Sequence, residues 1–177
     1  MKYYNRAIQY VHQLDKLTKP KKRGKQMSKY ENAIKLMIER FSKDNPISIA
    51  TMDGKRPAVR TVDGYYEEGA FYVVTYTLSN KMKQIEANPD VAVCSSEWFN
   101  GDGIGENLGW VKEEKNAVIM AKLRNAFASW YSNGHVNEDD KNTCLLRIRL
   151  KKGVITDHDK KYGDWLYVVD FENKTVE

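Results

Sequence analysis

The chain has 177 residues and a formal net charge of +5, with 41% hydrophobic and 30% charged residues. These values are typical of an ordinary soluble globular protein with one domain-sized core. No apolar run approaches the ~20 residues that a membrane-spanning helix needs, and the N-terminal residues lack the apolar core of a secretion signal. The spacing of the cysteine and histidine residues matches no metal site.

The two cysteines, Cys94 and Cys144, both lie in apolar, strand-like sequence. We therefore expect buried thiols rather than a disulfide. Reduced thiols of this kind fit a cytoplasmic protein, because disulfides persist mainly in oxidising compartments.

The first 26 residues differ from the rest in their charge pattern. Apolar residues at helical spacing predict an amphipathic helix over 3–17. A basic stretch around Pro20 and Gly24 follows, made of Lys16, Lys19, Lys21, Lys22, Arg23 and Lys25. We interpret it as a solvated linker. The alternative is a tether for phosphate or nucleic acid. A protein that binds single-stranded nucleic acid needs interleaved aromatic residues, which this stretch lacks. The predicted organisation is a helix with its linker (residues 1–26) and one domain (residues 27–177).

The domain begins with a predicted helix over 28–41, where Ser28 and Glu31 form a potential capping box. The hydrophobic period then changes from that of a helix to that of strands. Asp53-Gly54 is typical of a hairpin turn, and we expect another reversal bracketed by 63–64 and 68–69. The pattern predicts a short helix and four strands, the helix over 79–87 and the strands over 47–52, 56–63, 70–75 and 91–96.

The second half of the domain continues this alternation. Four of the eleven glycines fall between residues 100 and 109, which predicts a flexible loop that leads into a strand over 106–112. The longest helix is predicted over 114–131, and further strands follow at 144–150, 153–157 and 163–171. Short antiparallel strands of this kind tend to close into a small barrel, so we predict an α+β fold that is mainly β.

Two polar clusters on neighbouring predicted strands are the strongest functional signal. One is Arg60-Thr61-Val62, and the other runs from Thr75 to Lys81, off the end of an apolar strand and into a helix. Hydroxyls, an ammonium and the N–H groups of a helix start suit a phosphate, to which a guanidinium adds a fork of donors. Taken singly, Arg60 could pair with a glutamate, while Ser79 and Lys81 could form an ordinary helix cap.

Five segments stand in an informative order and spacing: Ser48-Ile49-Ala50-Thr51, Arg60-Thr61-Val62, Phe71-Tyr72-Val73-Val74-Thr75, Ser79-Asn80-Lys81 and Asn88-Pro89-Asp90-Val91-Ala92-Val93-Cys94. Together they resemble the pyridoxamine 5′-phosphate oxidase-like family, including its general stress protein branch. The resemblance implies a split antiparallel Greek-key β-barrel with flanking helices. It also implies a homodimer that holds FMN at the subunit interface.

The resemblance assigns the phosphate of FMN to Arg60, Ser79 and Lys81 by motif position. Asn80 would add an N–H or a side-chain amide at the same end. These assignments agree with the chemistry, because a phosphate dianion favours two cations and several short donors.

The rest of the cofactor is assigned in the same way. The backbone at Thr61 and Val62 would face the isoalloxazine ring, while Thr75 and Tyr76 would lie against the ribityl chain or the ring. Further contacts could come from the partner subunit, through Glu106, Asn107 and Trp110. The alternatives are a loop or edge strand with solvated side chains for the first two, and simple core or interface packing for the tryptophan.

The resemblance implies an FMN-dependent oxidoreductase that moves hydride or electrons between a reduced nicotinamide and an unidentified acceptor, with a small-molecule substrate. No side chain is assigned a catalytic role, because a flavin carries out this chemistry itself. The chain lacks the arginine-leucine-x-proline tail of the true oxidase, which argues against the vitamin B6 reaction. The alternative is a non-catalytic protein that binds a flavin or another phosphorylated ligand for sensing or storage.

Overall fold

The computed structural model describes residues 27–177, so the predicted helix over 3–17 and the basic linker lie outside the described residues. The first helix, α1 (Lys29–Phe41), begins at the predicted capping box. Ser28 Oγ accepts a hydrogen bond from the Glu31 N–H at 3.1 Å, and the Glu31 carboxylate accepts one from the Ser28 N–H at 2.7 Å. Both N–H groups would otherwise lack an intrahelical partner, which explains why the helix starts here.

The strands are β1 (Asn45–Asp53), β2 (Arg56–Glu67), β3 (Ala70–Tyr76), β4 (Asp90–Ser95), β5 (Phe99–Trp110), β6 (Thr143–Thr156), β7 (Leu166–Asp170) and β8 (Thr175–Val176). They form one antiparallel sheet in the order β3-β2-β1-β4-β5-β6-β7-β8, and a further pairing of β3 with β6 closes six of them into a barrel. The order of the first four strands is that of a Greek key. The predicted α+β, mainly β, split Greek-key barrel is confirmed.

Two further helices flank the barrel. α2 (Asn80–Ala87) connects β3 to β4, and α3 (Ala117–Ala126) lies between β5 and β6 after a short 3-10 turn at Glu114–Asn116. Across residues 27–177, none of the helices has both the length and the apolar character to cross a membrane.

Strand alternation creates two separate cores. Inward residues fill the barrel, which α1 closes through Phe41, whose ring lies 5.6 Å from Phe71 and 6.3 Å from Phe99. Leu145 points to the opposite side of β6, where it packs under α3 against Leu123 and other apolar residues. Aromatic pairs of this kind contribute stability beyond their buried area.

The predicted glycine-rich loop is wrong, because residues 99–110 form the long strand β5. The glycines are required by close strand packing rather than by flexibility. A Cβ at Gly101 would lie 2.5 Å from the Lys152 carbonyl oxygen, and one at Gly103 would lie 2.4 Å from that of Arg149. Only a residue without a side chain permits this approach of β5 to β6.

Other boundaries also differ from the sequence prediction. The predicted reversal occurs at Glu68-Gly69 only, because β2 runs on through Gly64 to Glu67. A Cβ at Gly64 would lie 2.5 Å from Ile47 Cδ1. β6 is one strand of 14 residues rather than two. α3 ends at Ala126 and turns replace its predicted last part. Cys144 is buried as expected, but Cys94 is exposed, because β4 directs its neighbours Val91 and Val93 inward.

Candidate functional site

Arg60 lies on the inward row of β2, opposite Ile49 of β1, near one end of the barrel. Its Nη1 donates to Thr51 Oγ1 at 2.6 Å, and its Nη2 donates to Gln84 Oε1 at 2.7 Å. Thr51 Oγ1 in turn donates to Gln84 Oε1 at 2.6 Å. Burial lowers the pKa of the Arg60 guanidinium, which nevertheless stays protonated. The alternative of a surface arginine paired with a glutamate is therefore wrong.

Lys81 reaches the same end of the barrel from the first turn of α2. Burial, followed by the positive charge of Arg60, lowers the pKa of its ammonium. Neither cation forms an ion pair with a carboxylate of residues 27–177. Two half-buried positive charges close together without a counter-charge are costly, and a bound anion would offset that cost.

Ser79 occupies the N-cap position of α2, but its side chain forms no capping hydrogen bond. Its Oγ is buried and has no hydrogen-bond partner among the described residues. An N-cap serine normally accepts from a backbone N–H of the first turn, and buried polar atoms are rarely left unpaired. This hydroxyl lies two residues before Lys81, and no hydrogen bond within residues 27–177 uses its donor or acceptor capacity.

The remaining residues predicted to contact the cofactor differ in their burial and in the face of the sheet on which they lie. Thr75 is half-buried opposite Cys144 of β6, and Tyr76, the last residue of β3, is exposed. Asn80 is the exposed first residue of α2. Val62 follows Arg60 on the inward row and packs against the barrel core, while Thr61 is exposed on the outer face.

The three residues assigned to the partner side lie on the last part of β5. Beyond Ile104 this strand is no longer paired with β4, so it has β6 on one side only. Glu106 forms an ion pair with Arg147, and Asn107 Oδ1 accepts from the Gly109 N–H at 2.9 Å. Glu106 and Asn107 thus lie on an edge strand, which the sequence analysis gave as the alternative to a cofactor contact.

Trp110 forms its contacts within this chain. Its Nε1 donates to the Glu138 carbonyl at 2.8 Å, and its ring packs against the cluster under α3.

A cleft of about 230 Å³ lies between α2 and the open edge of β5, lined by Thr77, Met82, Ile85, Glu86, Gly105 and Asn107. Gly105 allows this packing, because a Cβ there would lie 2.9 Å from Ile85 Cγ2. Met82, which follows Lys81 on α2, lines the cleft, and the Cys144 thiol lies near enough to interact with the Lys81 ammonium. The cleft therefore adjoins the end of the barrel where the two cations lie.

The sequence analysis missed Thr51 and Gln84. Both carried a positional signal: Thr51 continues the inward row of Ile47 and Ile49 on β1, so alternation points it into the barrel. Gln84 follows Lys81 by three positions, which places both side chains on one face of α2.

No protein-family model matches this chain, and no curated protein sequence is significantly similar to it. Solved structures do share its fold. General stress protein 26 from Bacillus anthracis str. Sterne is 20% identical, with a TM-score of 0.53 over 70% of this chain and 90% of that one. A FAD-binding protein from Mesorhizobium loti is 15% identical, with a TM-score of 0.54 over 72% and 92% of the two chains.

A pyridoxamine 5′-phosphate oxidase-related, FMN-binding protein from Nostoc punctiforme PCC 73102 is 16% identical, with a TM-score of 0.50 over 87% of this chain and 97% of that one. The resemblance drawn from the sequence is thus confirmed at the level of the fold: the chain has the split barrel of pyridoxamine 5′-phosphate oxidase-like proteins.

Proposed function

We propose that this chain binds FMN through its phosphate and acts as an FMN-dependent oxidoreductase. Two observations carry the proposal: Arg60 and Lys81 form no ion pair with a carboxylate of residues 27–177, and the Ser79 hydroxyl has no hydrogen-bond partner within the same residues. A phosphate group supplies the negative charge and the acceptor oxygens that such a set requires. The first N–H groups of α2 add partial positive charge in the same place.

FMN is favoured over FAD by charge. A phosphomonoester carries close to two negative charges at neutral pH, which matches the two cations. The pyrophosphate of a dinucleotide divides a similar total charge between two phosphates with one charge each, so it places less charge on the phosphate beside the two cations. The ring and ribityl chain are assigned to Thr61, Val62, Thr75 and Tyr76 by motif position. When bound, the flavin would supply hydride and electron transfer, with a reduced nicotinamide as donor.

A homodimer is part of the proposal, and the outer face of the sheet supports it. One row of cross-strand neighbours on this face spans six strands and contains no charged side chain: Thr61, Ser48, Cys94, Asn100, Val154 and Val168. Val59 adjoins the row and is 68% exposed. A row of exposed residues without charged side chains fits the core of a protein interface, where charged residues are depleted. Glu106, Asn107 and Trp110 remain the residues proposed to approach the partner's cofactor.

The localisation proposed is the cytoplasm, since Cys94 and Cys144 are both free thiols.

The absorption spectrum of the purified protein tests the proposal directly. We expect oxidised flavin bands, or their appearance on titration of the colourless protein with FMN. Protein that takes up neither FMN nor FAD would contradict flavin binding. Bound FMN without oxidation of reduced nicotinamides, under air or with added acceptors, would instead indicate the non-catalytic binding protein.

A further inference from the structure

We propose that Gln84 is a positioning residue that holds Arg60 with a neutral acceptor and so keeps the arginine charge available for a dianionic phosphate. This inference rests on the proposed phosphate site. Beyond that site, it states that Gln84 sets the preference for a dianionic ligand without having to contact the ligand.

The contacts of Gln84 explain why it can do this. Its Oε1 accepts from Arg60 Nη2 at 2.7 Å and from Thr51 Oγ1 at 2.6 Å, while Thr51 Oγ1 accepts from Arg60 Nη1. The three side chains come from α2, β2 and β1, so the network joins three elements at one point. Two guanidinium nitrogens are thereby fixed in position. An arginine has five N–H donors, so three remain for a ligand.

The neutrality of the network is the important property. A glutamate has nearly the same shape as glutamine, but at this position it would form a charge-assisted pair with Arg60. That pair would cancel one of the two positive charges of the site. Glutamine orients the guanidinium with the same geometry and leaves its charge in place.

α2 supplies both the second cation, Lys81, and the positioning residue, Gln84, which lie three positions apart on one face of the helix. The site therefore holds two positive charges that form no ion pair with a carboxylate of residues 27–177, which fits the dianion of a phosphomonoester better than a monoanion. The second ionisation of a phosphomonoester lies near pH 6. Affinity for such a ligand should rise as the pH increases through that region.

The test compares Gln84→Glu and Gln84→Met with the wild type and with Lys83→Gln. Lys83 is exposed on the same helix, and Lys83→Gln removes one unit of charge, as Gln84→Glu does. The probes are FMN, followed by its absorption and fluorescence, and inorganic phosphate as a competitor. Each is measured from pH 5.5 to 8.

We expect Gln84→Glu to weaken FMN about 10- to 100-fold, the range for a charge-assisted contact, and to flatten the rise of phosphate affinity with pH. The melting temperature of the ligand-free Gln84→Glu variant should be unchanged or higher. Lys83→Gln should stay within about threefold of the wild type, and Gln84→Met should weaken FMN while keeping the pH-dependent rise.

Gln84→Glu with wild-type affinity and an unaltered pH profile would overturn the inference and leave the proposed function standing. Wild-type protein that binds neither FMN nor phosphate would overturn both. If Gln84→Glu does not fold, Gln84→Met decides: unchanged FMN affinity in that variant would also overturn the positioning role.

Discussion

Burial and the charge of Arg60 both lower the pKa of Lys81, although the two residues come from different elements of the fold. Arg60 stands on a barrel strand and Lys81 on the helix that follows the neighbouring strand. Like charges that interact in this way destabilise the ligand-free protein, and a bound anion would offset their repulsion. Three of the five predictions below concern this end of the barrel.

The first prediction concerns affinity. Arg60→Ala and Lys81→Ala should each weaken FMN binding by about 1–3 kcal/mol, because each removes a charge-assisted contact to the phosphate. Isothermal titration of both variants measures the loss. Lys83→Ala is the matched control, since Lys83 is exposed on the same helix. Unchanged affinity in both single variants would show that the phosphate lies elsewhere.

The second prediction concerns the stability of the ligand-free protein. Lys81→Met should raise the free energy of unfolding at pH 7 by about 0.5–2 kcal/mol, because it removes a half-buried charge beside Arg60. Since the folded pKa of Lys81 lies below its unfolded value of 10.5, the destabilisation is full at neutral pH. It disappears as the pH rises through the folded pKa to above 10.5.

Denaturant unfolding at pH 7, without any ligand, measures this effect, and Lys83→Met serves as the control. A lower stability of Lys81→Met than of Lys83→Met would argue against charge strain at this site.

The third prediction concerns the loop that supports Trp110. The Glu138 carboxylate accepts from Arg124 at 2.7 and 2.9 Å and from Tyr131 at 2.8 Å. The Arg124 hydrogen bonds are the main cause of the lowered pKa of Glu138. Glu138→Gln should therefore lower the free energy of unfolding by about 1–3 kcal/mol at pH 7.

Because the folded pKa of Glu138 lies below its ordinary value of 4.5, the stabilisation is complete above pH 4.5 and is lost as the pH falls through the folded pKa. The difference in the free energy of unfolding between Glu138→Gln and the wild type should therefore be smaller at pH 3 than at pH 7. Asp139→Asn, at an exposed ion pair with Lys112, should have little effect at either pH. An equal difference at both pH values would mean that the carboxylate charge is not involved.

The fourth prediction concerns Gly105, which brings β5 against α2. A Cβ there would lie 2.9 Å from Ile85 Cγ2 and 3.0 Å from Val91 Cγ2. Gly105→Ala should destabilise the fold by about 1–3 kcal/mol and weaken FMN binding by displacing α2, which carries Ser79 and Lys81. Thermal unfolding and FMN titration measure the two effects.

Gly54 provides the comparison, because it has a φ of +60° and no atom within 4 Å of an added Cβ. Gly54→Asn should leave FMN affinity unchanged, since asparagine tolerates that conformation. If Gly105→Ala bound FMN as the wild type does, the position of α2 would not control the site.

The fifth prediction concerns the uncharged row on the outer face of the sheet. Cys94→Arg places a charge near its middle, and like charges brought together across an interface cost several kcal/mol. We expect wild-type dimers and variant monomers by sedimentation at the same concentration, with unchanged circular dichroism. Asp159→Lys, in an exposed loop, should leave the dimer intact. A dimer that persists in Cys94→Arg would show that the subunits meet on another surface.

Local signals in the sequence were sufficient to predict several parts of this protein. The capping box of Ser28 and Glu31 starts α1, the predicted hairpin joins β1 to β2 through Gly54 and Lys55, and alternation identifies most of the strands. These features depend on neighbouring residues, so they are readable without the fold. The order of polar residues from Arg60 to Lys81 likewise identified the split barrel, as the shared fold confirms. The cofactor assignments of the individual residues stay predictions.

Only the tertiary structure decided where strands approach one another. Gly101 and Gly103 look like loop residues in the sequence, yet they form β5, because the Lys152 and Arg149 carbonyls of β6 leave no room for a side chain. Likewise, the contact of Gln84 with Arg60 joins residues from separate elements. A sequence lists which charged and polar groups are available, but only the folded backbone brings them within hydrogen-bond distance and removes the water that would screen them.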